Sequence, residues 1–282
     1  MTLTFNTTHH ATAERRVTVR DTTAVATVSV TFDNLGEAAE LERGTWPEDA
    51  PLGEHFTVRE CLPELLGLLA REHLRATFFL EGLNGELYPD AVAGLRAAGH
   101  EVACHGWRHE PWHGVSDERG RLERARDALG GPIGFRPPGG RLNPKTPKLL
   151  SGLGYRYCSP AGSRAGRLGG VVVLPFRWEL IDAYYYLPHF ATLRERNGDP
   201  AEPMPPAALR ERVLEALEAH TAGHLTLIFH PFLMSVGDEA VSVLADVLEI
   251  AGRMDCLRMD EAAAALPDDA GPPRLDDTSW DA

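Results

Sequence analysis

Long apolar runs are missing from this chain: none approaches 18 residues, so nothing in it reads as a membrane span. The first residues, MTLTFNTTHHATAERR, lack the apolar stretch of a secretory leader, and the expectation is a cytoplasmic protein. Positive charge is scarce, with 28 Lys and Arg against 41 Asp and Glu and a net charge of −13. A surface of that sign repels phosphate backbones and anionic lipid, so neither nucleic acid nor membrane is expected as a partner. A neutral or cationic small-molecule substrate is easier to accommodate. The four cysteines (Cys61, Cys104, Cys158, Cys256) form no CxxC pair, which argues against a disulfide framework and for buried free thiols. Internal repeats are absent, and the oligomeric state, homo-oligomer included, is left open.

What is present is an ordinary globular composition, 43% hydrophobic and 24% charged over 282 residues, enough for a single barrel-type domain. Residues 1–16 read as a polar N-terminal arm. Residues 267–282, rich in Pro and Asp, read as a disordered acidic tail. Between them, over 17–266, short apolar runs at 25–32, 76–80, 101–104, 155–158, 171–174 and 225–229 suit buried parallel strands. Leu62, Leu65, Leu66 and Leu69 mark one helical face. Leu244, Val247, Leu248 and Ala251 mark another, and Leu209, Val213 and Leu217 a third. The alternation predicts an α/β chain with a parallel sheet, closed or nearly closed into a barrel. Two long connections, 35–57 and 184–206, interrupt it. The first follows a strand end, where barrel sites are built, which points to Trp46, Glu54 and His55 as residues that close over substrate.

Four short segments carry chemistry. His105 and His109 follow the run EVAC at an offset that lets two imidazoles face one point, and neutral imidazole is a common ligand for a divalent metal. Asp33 and Asn34 end the run ATVSVTF. A carboxylate there is costly unless paired or coordinated, although a helix cap or turn is the plainer role. In Phe135-Arg136-Pro137-Pro138-Gly139-Gly140 the Pro and Gly pairs make a rigid loop, and Arg136 can clamp a carboxylate; an ordinary surface turn is the alternative. His230 ends LTLIF, as a general acid or base would, or as a satisfied core histidine would.

In this order the segments resemble the polysaccharide deacetylase superfamily, also called the NodB-homology or family 4 carbohydrate esterase group. Its Asp-Asp pair is matched by Asp33-Asn34, its His-Ser/Thr-x-x-His by His105 to His109, and its Arg-x-Pro-x-Gly by Arg136 to Gly140. Its Asp and Trp pairing is matched loosely by Trp178 and Asp182, and its Leu-x-Leu-x-His by the segment ending at His230. The resemblance implies an irregular (β/α) barrel of about seven parallel strands. It also implies a hydrolase of amide C–N bonds, with a divalent metal, taken as one zinc per chain, at His105, His109 and Asn34 or Asp33. Asp33 would be the general base, Arg136 its orienting partner and His230 the general acid, with Asp182 or Glu179 beside it. Glu54, His55, Trp107, Trp112, Pro138, Gly139, Trp178 and Asp182 would meet substrate. Two departures, Asn34 in place of Asp and Gly-Trp-Arg inside the histidine motif, shift the expectation toward an intracellular branch acting on small amides. A metal-independent, allantoinase-like hydrolase of a cyclic amide and a non-catalytic binding protein on the same fold are the other readings.

Overall fold

The computed structural model describes residues 25–276; the expected N-terminal arm and the last six residues lie outside them. The sheet is built from strands β1 (Ala26–Asp33), β2 (Thr77–Leu80), β3 (Glu101–Cys104), β4 (Gly134–Phe135) and β5 (Tyr157–Cys158). Short strands β6 (Gly162–Arg164), β7 (Gly166–Leu168) and β8 (Val171–Val173) precede β9 (Gly223–Phe229), and β10 (Arg274–Leu275) lies near the C-terminus. Eight of them form one curled sheet in the order β7-β8-β5-β4-β3-β2-β1-β9. Seven are mutually parallel, and only β7 runs against its neighbour. Among the described residues no continuous ladder closes the curl: past β9, one parallel bridge joins Ile181 to Ile228. The fold is an irregular, partly open (β/α) barrel, as the strand pattern predicts.

Side chains alternate across a strand. Phe32, Phe78, Phe135 and Phe229 therefore face outward into the apolar layer under the helices, where Phe32 stacks on Phe78 at 5.0 Å. The helical stripes land there too, with Leu65, Leu69, Val213, Val247 and Leu248 buried. The opposite parity lines the interior. Phe79, Ala103, Tyr157 and Val172 form a smaller cluster closed off by Met259 of the helix Met259–Ala265.

Three expectations change. Residues 184–206 are not a bare loop: they hold most of the helix Asp182–Tyr186 and all of the helix Ala191–Arg196. Buried Arg194 ties them by donating to the carbonyls of Leu187, Pro200 and Ala201. Residues 35–57 contain the helix Ala38–Arg43. The tail expected to be disordered from 267 is structured as far as Asp276: β10 pairs antiparallel with β6, and Asp276 N–H donates to the Ala161 carbonyl. The two strand residues that lead to Arg136 had no apolar run long enough to reveal them.

Candidate active site

The interior parity, carried one step past the strands, builds the site. Asp33 ends β1, and Glu81, His105, Arg136, Ser159 and His230 directly follow β2, β3, β4, β5 and β9. All lie on the inward alternation at the C-terminal end of the parallel strands, where such barrels place their chemistry. Register fixes the neighbours. Phe32 pairs with Phe229, which sets Asp33 beside His230, and Cys104 pairs with Phe135, which sets His105 beside Arg136.

Arg136 is 1% exposed and makes four hydrogen bonds. Its Nη1 donates to Asp33 Oδ1 at 2.6 Å and to Thr31 Oγ1 at 2.9 Å, while Nε and Nη2 donate to Ser159 Oγ. The guanidinium lies 3.9 Å from the Phe79 ring centre, a geometry that lysine cannot reproduce. The other Asp33 oxygen stays 3.8 Å from His105 Nε2, beyond hydrogen-bond length. His105 Nδ1 lies 2.9 Å from the Arg136 carbonyl. A carbonyl only accepts, so the proton sits on Nδ1 and Nε2 keeps its lone pair. Burial, first of all, pushes the His105 pKa down to about 4, so the ring is neutral at neutral pH. His230 is the reverse case. Burial opposes its charge, but Asp182, with Oδ1 2.6 Å from Nδ1, overrides it and holds the pKa above the usual histidine value. The second Asp182 oxygen accepts the His230 backbone N–H at 2.7 Å.

A family model for polysaccharide deacetylase matches residues 20–158. A chitin deacetylase from Pestalotiopsis is 35% identical over 33% of this chain and 34% of its own length. A peptidoglycan-N-acetylglucosamine deacetylase from Bacillus cereus is 34% identical over 33% of this chain and 47% of its own. The chain thus spans less than half the length of these curated relatives. A solved structure of a candidate polysaccharide deacetylase from Mycobacterium smegmatis superposes with a TM-score of 0.73 at 27% identity, covering 92% of this chain and 96% of that one. The chain is similar to the polysaccharide deacetylase superfamily, by a family model over just under half of its length and by this solved structure over 92% of it.

Of the side chains expected to meet substrate, some stand at the site and others do not. Pro138 and Gly139 lie on the loop just past Arg136, with Pro138 packed on Gly106 of the histidine motif. Trp178 is buried edge-on against Phe176 at 5.1 Å, and its indole N–H has no partner among the described residues. Asp182 serves His230. Glu54 is instead an exposed residue paired with Arg59. His55 is buried as a loop fastener: its N–H donates to Tyr88 Oη at 2.8 Å, Nδ1 meets Thr57, and Nε2 lies 3.3 Å from Glu40. Tyr88 in turn donates to Glu37, which also accepts from Gly53 N–H. Trp107 packs on Gly82 and under Arg124, whose guanidinium lies 3.6 Å from the ring centre. Trp112 is fully buried against Phe135. Both indoles are core, because a large ring beside a close-approach glycine or a strand phenylalanine is better packed than wetted.

Two neighbours were missed. Glu81 is fully buried, with Oε2 accepting from Asn84 Nδ2 at 2.8 Å and Oε1 unpartnered among the described residues. Burial pushes its pKa up to about 8. Its signal was present: a carboxylate directly after an apolar run, as at Asp33. Arg43 ends the helix Ala38–Arg43, and its Nη2 lies 3.5 Å from His109 Nδ1.

The superfamily resemblance implies a metal at His105, His109 and residue 34. His105 fits, since its Nε2 lone pair is free. Asn34 fits in part: it is buried in a left-handed conformation, φ 60°, with Oδ1 lacking a partner among the described residues. His109 does not fit. Arg43 Nη2 stands 3.5 Å from its Nδ1, and a guanidinium only donates, so a bond there leaves the lone pair on Nδ1 and the ring hydrogen on Nε2. A ligating imidazole has the opposite arrangement, with its outer nitrogen donating to an acceptor. Among the described residues, no three His, Cys, Asp or Glu side chains converge on a metal position. With Arg43 in place the expected zinc set is incomplete. A separate cavity of about 810 Å³ lies at the opposite end of the barrel, beside Thr27, His224 and Leu225 where the strands begin, remote from this chemistry.

Proposed function

We propose that this chain hydrolyses amide C–N bonds, removing an acyl group from an N-acylated small or carbohydrate-derived substrate. The observation that carries this reading is the pairing of Asp33 and His230. They stand on adjacent strand ends, one salt-bridged to a buried arginine and the other tethered to a buried aspartate. Asp33 accepts a proton from water as the water oxygen bonds to the amide carbon. His230, held protonated, donates to the nitrogen as the C–N bond breaks, because an amide nitrogen leaves poorly without a proton. The products are the amine and the carboxylic acid. Arg136 fixes Asp33 Oδ1 and leaves Oδ2 free for the water. Trp178 offers an unused indole N–H, and the loop of Pro138 and Gly139 a wall, for the acyl or sugar portion. The relatives named as deacetylases of chitin and of peptidoglycan N-acetylglucosamine support an N-acetyl group as the part removed.

The test is acetate release from N-acetylglucosamine oligomers and from a small N-acetyl amine by the full chain and by Asp33→Asn. Turnover should fall at least about 100-fold, the usual worth of a general base. Equal rates for the two proteins would remove Asp33 from the chemistry.

A further inference from the structure

We infer that Arg43 is a positioning residue that sets the tautomer of His109 and so holds the histidine pair in a state unsuited to a divalent metal. Three features converge. The helix Ala38–Arg43 stops at Gly44, whose left-handed φ of 67° ends it and places the arginine on the final turn, next to His109. Arg43 has five N–H groups and no acceptor, so it hydrogen-bonds Nδ1, 3.5 Å away, only when Nδ1 carries the lone pair. His109 then bears its hydrogen on Nε2 and has no free lone pair left for an ion. The second feature is His105, whose Nδ1 hydrogen points to a carbonyl; the two histidines are set in opposite tautomers by opposite kinds of partner. The third is residue 34. A buried carboxylate there would be uncompensated without a metal, whereas the neutral amide of Asn34 tolerates the site as it is. The guanidinium also adds a positive charge beside His109, which opposes loading of a cation further.

The inference concerns occupancy of the site rather than turnover, so its test needs no substrate. Zinc is titrated calorimetrically into the full chain, Arg43→Gln and Arg43→Met, and the His109 tautomer is read from ring ¹⁵N shifts in the same proteins. Arg43 is solvent-exposed at a helix end, so both variants keep the core. Both remove the charge, but only glutamine offers an oxygen that can accept from Nδ1. The wild-type ring should show hydrogen on Nε2. In Arg43→Gln it should move to Nδ1, and zinc should bind at least tenfold tighter than in wild type and tighter than in Arg43→Met. A wild-type ring with hydrogen on Nδ1 would overturn the inference, as would unchanged zinc affinity in Arg43→Gln or equal gains in the two variants. The last result would make charge alone responsible.

Discussion

Replacing Asp182 by Asn tests the acid most directly, because it keeps the shape of the tether and removes only its charge. In the native site Asp182 accepts from His230 twice, through the ring Nδ1 at 2.6 Å and the backbone N–H at 2.7 Å, and both groups are largely shielded from solvent. The amide oxygen of Asn can keep one of these bonds but not the ion pair. A hydrogen bond to a charged group is worth about 1.5–3 kcal/mol, and one pKa unit corresponds to about 1.4 kcal/mol. The His230 pKa should therefore fall by about 1–2 units from its raised position. The assay is the dependence of kcat/KM on pH for an unactivated N-acetyl substrate, whose alkaline limb reports the acid. That limb should move toward lower pH by the same 1–2 units, while activated anilides, which need no proton, lose little. An alkaline limb that stays put would show that another group supplies the proton. The sign extends to stability. A raised histidine pKa stabilises the fold below its ordinary value, and the contribution disappears as pH climbs through the folded value. Asp182→Asn should thus cost more stability at pH 6 than at pH 9.

Two further outcomes follow from packing and burial. Gly140 has φ 76°, and a Cβ there would meet Trp178 at 2.8 Å and Phe176 at 3.0 Å. Gly140→Ala should therefore destabilise by about 1–3 kcal/mol in urea unfolding, and an unchanged midpoint would contradict the close approach. Burial also lowers His100, lowers His105 and His224 to about 4 and about 3, and sends His109 well below its usual value. The unfolded chain gains these protons near pH 6.5, so stability is full above that value and drains as pH falls toward 4. Glu81 and Glu101, raised to about 8 and about 7, and the raised His230 act in the opposite sense, but the lowered histidines, with His189 at about 4 among them, outnumber them. Unfolding free energy at pH 4.5 should lie on the order of a few kcal/mol below that at pH 7, and equal values would mean that the histidines are not buried.

The sequence announced the groups that end strands, because each strand end is marked by an apolar run that stops at a polar residue. Asp33, His105 and His230 were legible that way. Arg136 was legible from its Pro and Gly loop, although its two-residue strand was not. The partner of His230 was narrowed by the sequence only to Asp182 or Glu179, and the geometry selects Asp182. Loop residues were not legible. His55 looked like a free imidazole until Tyr88, Thr57 and Glu40 consumed its polar atoms, and those partners lie up to 33 positions away. Trp107 and Trp112 looked like a pocket lining because indoles near histidines suggest one; only the three-dimensional neighbours, Gly82 and Phe135, show that the rings face the packing. Nothing local in a helix end states that Arg43 will meet a histidine 66 positions later.

The C-terminal strand has a practical consequence. Asp276 donates to the carbonyl of Ala161, whose own N–H donates to the carbonyl of Gly140, and Gly162 lies so close to Arg274 that a Cβ would come within 2.4 Å of its carbonyl. The segment ending at Asp276 is thus stitched, in two hydrogen bonds, to the loop that follows Arg136. A shortened gene product ending at Leu266, the natural choice for anyone trimming an acidic tail, would leave the Gly140 wall without its outer support, whereas an affinity tag placed beyond Asp276 would leave that support in place.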